Sequence, residues 1–167
     1  MNIRNKLLLF EAKRWVGVTE RGGNNKGDIV ALFQDAIGPK GQKVAWCASF
    51  VQYCVQMVNG LSDYMDFIGE KGILPITENT QELFYKSTDK RKMTLPSEGC
   101  IVVWTKEGDR GHGHCGIVDK ITFEGFNMKM TTIEGNTSKN GIDGVYVKSR
   151  EKDFPGYKYL GCINPFA

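Results

Sequence analysis

The order of hydrophobic patterns along this 167-residue chain constrains its fold more than any other feature. Apolar residues recur at helical spacing up to Gly60, whereas from Gly99 onward short apolar runs alternate with glycine-bearing turns. Helical patterns followed by strand patterns are typical of α+β proteins. We therefore expect residues 1–167 to form a single α+β domain, with N-terminal helices packed on an antiparallel β-sheet.

The apolar spacing predicts four helices and five strands. The second helix is expected to be capped by Asp28, and the third to run from residue 46 to residue 59 and end at Gly60. A short helix is expected at 80–86, followed by a charged loop around 89–92. The first helix is amphipathic, and the residues that fit its packing on the body are Ile3, Leu7, Leu8, Phe10, Ala12, Arg14 and Trp15. The strands are expected at 101–104, 116–121, 128–133, 145–148 and 159–163.

Cys47 lies where a loop leads into the third, apolar helix. The residues that follow it at helical spacing on one face are Phe50, Val51, Cys54, Val55 and Val58. A thiol in the first turn is close to the positive end of the helix dipole and to unpaired backbone N–H groups, which favour the thiolate. Cysteines are often merely buried, as we expect for Cys54 and Cys162. The position at the helix start indicates a nucleophile for Cys47.

A histidine and two side chains that can orient it follow in the strand region. His114 opens one apolar run, and Glu134 and Asn136 lie at the end of the next. Residues two apart share a face of a strand, so either side chain can bond the far nitrogen of the imidazole. Such a set activates a cysteine. His112, the other histidine, lies in a loop, where we expect a solvated residue or a contact at the rim of the cleft.

Three motifs, in this order, resemble the CHAP family of cysteine amidases and endopeptidases, which are relatives of the NlpC/P60 peptidases. They are Trp46-Cys47-Ala48 with Phe50-Val51, Gly113-His114 with Gly116-Ile117-Val118, and Glu134-Gly135-Asn136. Two upstream segments, 17–20 and 22–27, resemble the N-terminal part of the phage and prophage branch of this family. The resemblance therefore covers nearly the whole chain.

The resemblance implies a papain-like arrangement, in which the helix of the nucleophile lies against the sheet that supplies the histidine. It implies Cys47 as nucleophile, His114 as base and Glu134 as orienter, with Asn136 polarising the site or taking over the orienting role. The implied activity is hydrolysis of peptidoglycan, either as an N-acetylmuramoyl-L-alanine amidase or as a peptide endopeptidase. The alternatives are a catalytically inactive wall-binding or virion-associated module, and a cysteine hydrolase or acyl transferase acting on a non-wall amide.

Five residues are candidates for substrate binding. Glu20, Asn24 and Asn25 match the N-terminal segment of the family, and we expect them to face the cleft. Asparagine beside glycine is also ordinary turn chemistry, so this interpretation has an alternative. Trp46 and His112 flank the catalytic residues in sequence and complete the predicted set.

Neither a metal site nor a cofactor is expected. Cys100, Cys115 and the two histidines are potential zinc ligands, but they lack paired spacing, and adjacent strand residues point to opposite faces. Some CHAP domains bind calcium through an acidic loop ahead of the cysteine. Here Asp28 and Asp35 are the only carboxylates in 21–46, and they are not clustered.

Charge and composition indicate an ordinary soluble protein. The net charge of +3 comes from 22 basic and 19 acidic residues, and no long run of one sign indicates a nucleic-acid partner. Five cysteines cannot all pair, which favours free thiols. The apolar run 7–10 is too short for a signal peptide, and no stretch could insert into a membrane. We expect a monomer made in the cytoplasm that reaches the cell wall after release by a holin, by lysis or by a secretion system.

Overall fold

The computed structural model describes residues 1–38, 44–66, 74–109 and 111–167, with the backbone alone for 61–66. The helices are α1 Ile3–Arg14, α2 Asp28–Asp35, α3 Cys47–Asp66 and α4 Thr80–Tyr85, and a 3₁₀ turn follows at Asp89–Arg91. The strands are β1 Lys92–Met93, β2 Ile101–Lys106, β3 Gly113–Glu124, β4 Asn127–Lys139, β5 Ile142–Glu151 and β6 Tyr157–Ile163. The predicted α+β class is confirmed, and each predicted strand is present with wider bounds.

The strands form one antiparallel sheet in the order β1-β6-β2-β3-β4-β5. Side chains alternate between its faces, as the pleat requires. The helix-facing side belongs to the larger core, to which the sheet contributes Ile101, Val103, Cys115, Ile117, Ile133, Val145 and Ile163. The opposite face carries a second cluster, made of Cys100, Val102, Trp104, Val118, Met130 and Cys162. Helix α3 packs on β3 and β4 and against α1.

The first turn of α3 approaches β4 so closely that only a glycine fits between them. A Cβ atom on Gly135 would lie 2.6 Å from the Cβ atom of Phe50 and 2.9 Å from the indole ring of Trp46. Both neighbours are fully buried and therefore cannot swing aside. Gly135 thus fixes the distance between β4 and the helix start that carries Cys47.

We expect Gly135→Ala to lower the free energy of unfolding by about 1–3 kcal/mol, because the added methyl group overpacks this contact. Urea denaturation measures the change. Gly60→Ala is a suitable control, since Gly60 is helical and, among the described residues outside its own helix turn, no atom would lie within 4 Å of an added Cβ atom. That variant is expected to be more stable by up to about 1 kcal/mol. A Gly135→Ala protein as stable as the wild type would contradict the packing argument.

The segment 17–20 pairs with the outer edge of β5. The Gly17 N–H donates to the carbonyl of Val145 at 2.9 Å, and the Glu20 N–H donates to the carbonyl of Asp143 at 2.9 Å. A side chain at Gly144 would clash with the carbonyl oxygen of Val18, so this close approach also depends on a glycine. The pairing covers part of a sheet edge and brings Glu20 to the start of α3.

Two helix predictions were wrong at their ends. Helix α3 continues through Gly60 to Asp66, because a helical glycine costs only about 1 kcal/mol and no proline stops the chain there. Asp28 is the first residue of α2 and does not cap it. Gly27 is at the N-cap, with φ of 133° and no side-chain cap.

The predicted buried face of α1 was partly wrong. Ile3 and Phe10 are 69% and 65% exposed, and Glu11 is buried in their stead. The Glu11 carboxylate accepts hydrogen bonds from Arg14 at 2.7 Å and from the indole N–H of Trp15 at 2.9 Å, and these bonds offset the cost of its burial.

The charged segment 89–92 was expected to be a loop. It contains the 3₁₀ turn and the start of the short edge strand β1, which pairs with β6. Within the part of the chain that the structure describes, no helix is long and apolar enough to cross a membrane.

Candidate active site

Cys47 is the first residue of α3, and its side chain lies at the contact between the helix and the sheet. It is 5% exposed and belongs to the larger core. The backbone N–H of Ala48 lies close to its sulfur and favours the thiolate. The thiol of Cys115 and the imidazole of His114 are its side-chain neighbours, and both act on its ionisation. The structure thus brings together two side chains that were predicted to act jointly, 67 positions apart, and adds a third.

His114 lies near the start of β3, opposite Trp104 of β2. Its ring stacks on the indole with 6.1 Å between centroids and 17° between planes. Its Nε2 atom is 2.8 Å from Oε2 of Glu134. Because Nε2 is engaged by the carboxylate, Nδ1 is the ring nitrogen left for Cys47.

Glu134 of β4 is fully buried and receives hydrogen bonds from three side chains. The Thr132 hydroxyl donates to Oε1 at 2.6 Å. The Arg150 guanidinium donates from Nε to Oε1 at 2.8 Å and from Nη2 to Oε2 at 2.7 Å. The carboxylate passes over Gly116, where a Cβ atom would lie 2.7 Å from its Cγ. A buried carboxylate with this many donors is held in one orientation.

The surroundings of the two reacting side chains favour the thiolate–imidazolium pair. The hydrogen bond from Cys115 lowers the pKa of Cys47 most, and although burial opposes ionisation, the bond and charge of His114 bring it well below its usual range. Burial also opposes the charged form of His114. The charge of Glu134 and the bonds to Cys47 and Glu134 outweigh burial and raise the pKa of His114 to about 10.

Burial and neighbouring charges also have opposite effects on the pKa of Glu134. Burial favours its neutral form, but the bonds and charges of Arg150 and His114 hold its pKa well below the usual range. In contrast, burial raises the pKa of the Cys54 and Cys115 thiols well above their usual range. Of these three thiols, only that of Cys47 is favoured as a thiolate near neutral pH.

The lowered pKa of Cys47 predicts that its thiol reacts at a lower pH than an ordinary thiol. Since the pKa of Cys47 is lowered, its thiolate persists as the pH falls through 7, where an ordinary thiol with a pKa of about 8.5 is mostly protonated. We expect iodoacetamide to alkylate Cys47 readily at pH 6 and to leave Cys54 unmodified. Mass spectrometry with fragmentation locates the label.

Cys115→Ala removes the strongest interaction that favours the thiolate, so it should move the midpoint of Cys47 alkylation to higher pH. Equal alkylation midpoints for Cys47 and an ordinary thiol would contradict this account.

Asn136 lies at an irregularity of β4, where the strict alternation behind the predicted shared face with Glu134 is interrupted. The pairing of β4 with β5 shifts register between Glu134 and Thr137, and Asn136 has a φ of 52°, in the left-handed region. This bulge turns Asn136 into a cleft of about 480 Å³ beside His114. The cleft is also lined by Thr137, Ser138, Asp143, Lys148, Arg150, Phe154, Pro155 and Tyr157. The bond to Nε2 of His114 therefore comes from Glu134.

Buried Trp46 and half-buried Glu20 support the start of α3. Trp46 has no exposed surface, stacks on Phe33 at 5.7 Å, and donates its indole N–H to Oε1 of Glu20 at 2.8 Å. Trp46 was predicted to contact the substrate directly, and this prediction was wrong because the side chain is fully buried. The pair instead positions the residue before Cys47.

The other three predicted substrate residues do not line the cleft beside His114. Asn24 is exposed, and Asn25 has a φ of 57° and accepts a hydrogen bond on its carbonyl from Gln34. The side chain of His112 is 75% exposed and is paired with Asp109 at 2.6 Å. These placements fit the turn and loop interpretations, and a substrate role for the three stays a prediction.

Arg150 and Cys115 belong to the site, although the sequence pattern had not predicted either of them there. Arg150 lies opposite Met130 in the sheet, and its long side chain extends along β5 to reach Glu134. The signal that could have found it is alternation, because Met130 and Glu134 share a face of β4. Among the described residues, no group of three His, Cys, Asp or Glu side chains could hold a metal ion.

Residues 39–136, well over half of the chain, match the family model of the CHAP domain. The matched segment contains Cys47, His114, Glu134 and Asn136. No curated protein and no solved structure matches the chain. The match points to a hydrolase that acts on peptidoglycan as an amidase or endopeptidase.

Proposed function

Because the chain belongs to the CHAP domain family, we propose that it hydrolyses an amide bond of peptidoglycan with Cys47 as the nucleophile. The observation that carries the proposal is the connected chain of side chains from Cys47 through His114 to Glu134. A thiolate at a helix start, an imidazolium beside it and a buried carboxylate behind the imidazolium are the parts of a thiol hydrolase.

In the first half of the reaction, the Cys47 thiolate attacks the amide carbonyl carbon. The negative charge that develops on the carbonyl oxygen is stabilised by backbone N–H groups at the start of α3. The His114 imidazolium donates its proton to the amide nitrogen, the carbon–nitrogen bond breaks, and the amine leaves. Cys47 then holds the acyl group as a thioester.

In the second half, neutral His114 takes a proton from water, and the resulting hydroxide attacks the thioester. The carbon–sulfur bond breaks, which releases the carboxylic acid and restores the thiolate and the imidazolium. Glu134 keeps Nε2 of the ring protonated and stabilises its positive charge throughout. The cleft beside His114, with Asn136 in its wall, provides room for the substrate.

Several finer features belong to the same proposal. We place the chain in a papain-like arrangement within the NlpC/P60-related enzymes, and in the phage or prophage endolysin branch. It acts as a monomer on the cell wall after release from the cytoplasm by a holin, by lysis or by a secretion system. The motifs at 17–20 and 22–27 support the branch, and the packing of α3 on β3 and β4 supports the arrangement.

Purified peptidoglycan from several wall types tests this function. Incubation with the wild type, followed by mass spectrometry of the released ends, identifies the bond. A new N-terminal alanine with a free muramic lactyl carboxylate indicates an amidase, whereas new peptide ends indicate an endopeptidase. No cleavage of any wall by folded protein would contradict the proposal. Retained binding would then favour a wall-binding module, and neither binding nor cleavage would favour a non-wall amide.

A further inference from the structure

Among the described residues, Arg150 is a charged residue bonded directly to a candidate catalytic side chain, although it lies outside the region that matches the family. Its guanidinium makes two parallel hydrogen bonds to the Glu134 carboxylate, at 2.8 and 2.7 Å. The Oε2 atom of Glu134 that accepts from Nη2 is also bonded to Nε2 of His114. One oxygen atom thus links the arginine to the histidine.

Arg150 is itself held in place. Its guanidinium carbon lies 4.2 Å from the centre of the Phe154 ring, within the range of a cation–π interaction. Its Nη2 atom also reaches the Thr137 hydroxyl at 3.4 Å. The side chain is 19% exposed, so water screens its pairing with Glu134 only weakly. A guanidinium fixed on both sides can impose one orientation on the carboxylate.

From this geometry we propose that Arg150 is a positioning residue, which holds Glu134 in the orientation that fixes the imidazole of His114 toward Cys47. The inference rests on the proposed function, because it assigns Arg150 a role in that reaction. Without the guanidinium, the buried Glu134 carboxylate would keep two side-chain partners, the neutral hydroxyl of Thr132 and the imidazole of His114. It would then tend to take up a proton, and His114 would lose its counter-ion.

Other titratable groups face the pair of His114 and Glu134. Cys47 approaches from α3, Cys115 from β3 and Tyr157 from β6, where the Tyr157 ring centre is 6.2 Å from that of His114. Asp143 and Lys148 line the same cleft. Arg150 differs from these groups because its guanidinium makes two hydrogen bonds to Glu134, so its removal should have an effect on His114 that the others do not compensate.

The primary test is Arg150→Gln, read out by the pH titration of His114 in long-range ¹H–¹⁵N NMR spectra. We expect the pKa of His114, about 10 in the wild type, to fall by about one pH unit or more. The kcat on peptidoglycan should fall about 10–100-fold because the base is misplaced, and this loss should exceed any change in KM, although Arg150 also lines the cleft. The NMR readout needs no substrate, so it tests the inference even if the peptidoglycan activity is absent.

Arg150→Lys separates charge from orientation. A lysine keeps Glu134 ionised but cannot make two parallel bonds, so the titration of His114 should stay near that of the wild type while kcat remains reduced. This variant also decides the question if Arg150→Gln does not fold. An Arg150→Lys enzyme with wild-type kcat would overturn the inference.

Arg14→Gln is the matched control, because Arg14 also pairs with a buried carboxylate, that of Glu11 at 2.7 Å, on α1. Its loss should affect stability and leave the titration of His114 and the kcat unchanged. Two results would overturn a positioning role for Arg150. The first is a folded Arg150→Gln protein with a wild-type His114 titration, and the second is a change confined to KM, which would indicate a substrate contact.

Discussion

Replacement of Cys47 by alanine is expected to lower peptidoglycan hydrolysis by about 10⁴-fold or more, because the variant has no atom that can form the thioester. The loss should appear in kcat, since the thiolate acts in the chemical step and the variant keeps the lining residues of the cleft beside His114. The side chain is small and at the helix start, so the variant should fold. Release of new ends from purified walls, followed over time by mass spectrometry, measures the change.

Cys54→Ala is the matched control for this variant. Cys54 is two turns further along α3, is fully buried and has a raised pKa, so it should lose some packing energy but little activity. Cys47→Ser provides a further comparison, because a hydroxyl at this position keeps the shape but ionises far less readily. Full hydrolysis by Cys47→Ala or Cys47→Ser would exclude the thiol mechanism.

Replacement of His114 by alanine should have the second largest effect, a loss of about 10²–10⁴-fold in kcat. The imidazolium both donates the proton to the leaving amine and stabilises the Cys47 thiolate. The variant should therefore also show a higher midpoint for alkylation of Cys47, since its pKa loses the bond and the charge of His114. Rate measurements and iodoacetamide titration test the two consequences separately.

The chain offers a natural control in His112, two positions earlier. Its side chain is exposed and paired with Asp109, so His112→Ala should keep near wild-type rates and the wild-type alkylation midpoint. Equal losses in the two histidine variants would contradict the assignment of the base to His114. In the wild type, the basic limb of the rate profile should follow the loss of the His114 proton near pH 10.

Hydrophobic spacing located most of the fold because it reports burial directly. The apolar runs around Ile101, Ile117 and Ile133 form the neighbouring strands β2, β3 and β4, and these three isoleucines lie on the side of the sheet that faces the helices. Apolar spacing predicted the end of α3 less well. The helix continues through Gly60 because the cost of a helical glycine is small compared with the packing energy of the helix. Apolar spacing also did not distinguish the buried side of α1, where Glu11 is buried because two side chains bond it.

The sequence motifs predicted only part of the candidate site. The order of Cys47, His114 and Glu134 can be read from the sequence, and the structure places Cys47 beside His114, which is bonded to Glu134. The orientation of Asn136 depends on a bulge between β4 and β5, which strict alternation does not predict. The contact of Arg150 with Glu134 depends on strand register and on side-chain length, and neither can be deduced from spacing.

The most direct test of the central claim is to look for the acyl group on Cys47. A soluble muropeptide that the protein cleaves is mixed with the wild type, quenched with acid at short times and analysed by intact-protein and peptide mass spectrometry. We predict an adduct with the mass of the acyl product on the peptide that contains Cys47, discharged by hydroxylamine and absent from Cys47→Ala. Continued cleavage by protein whose Cys47 is fully alkylated, with no such adduct at any time, would contradict the account.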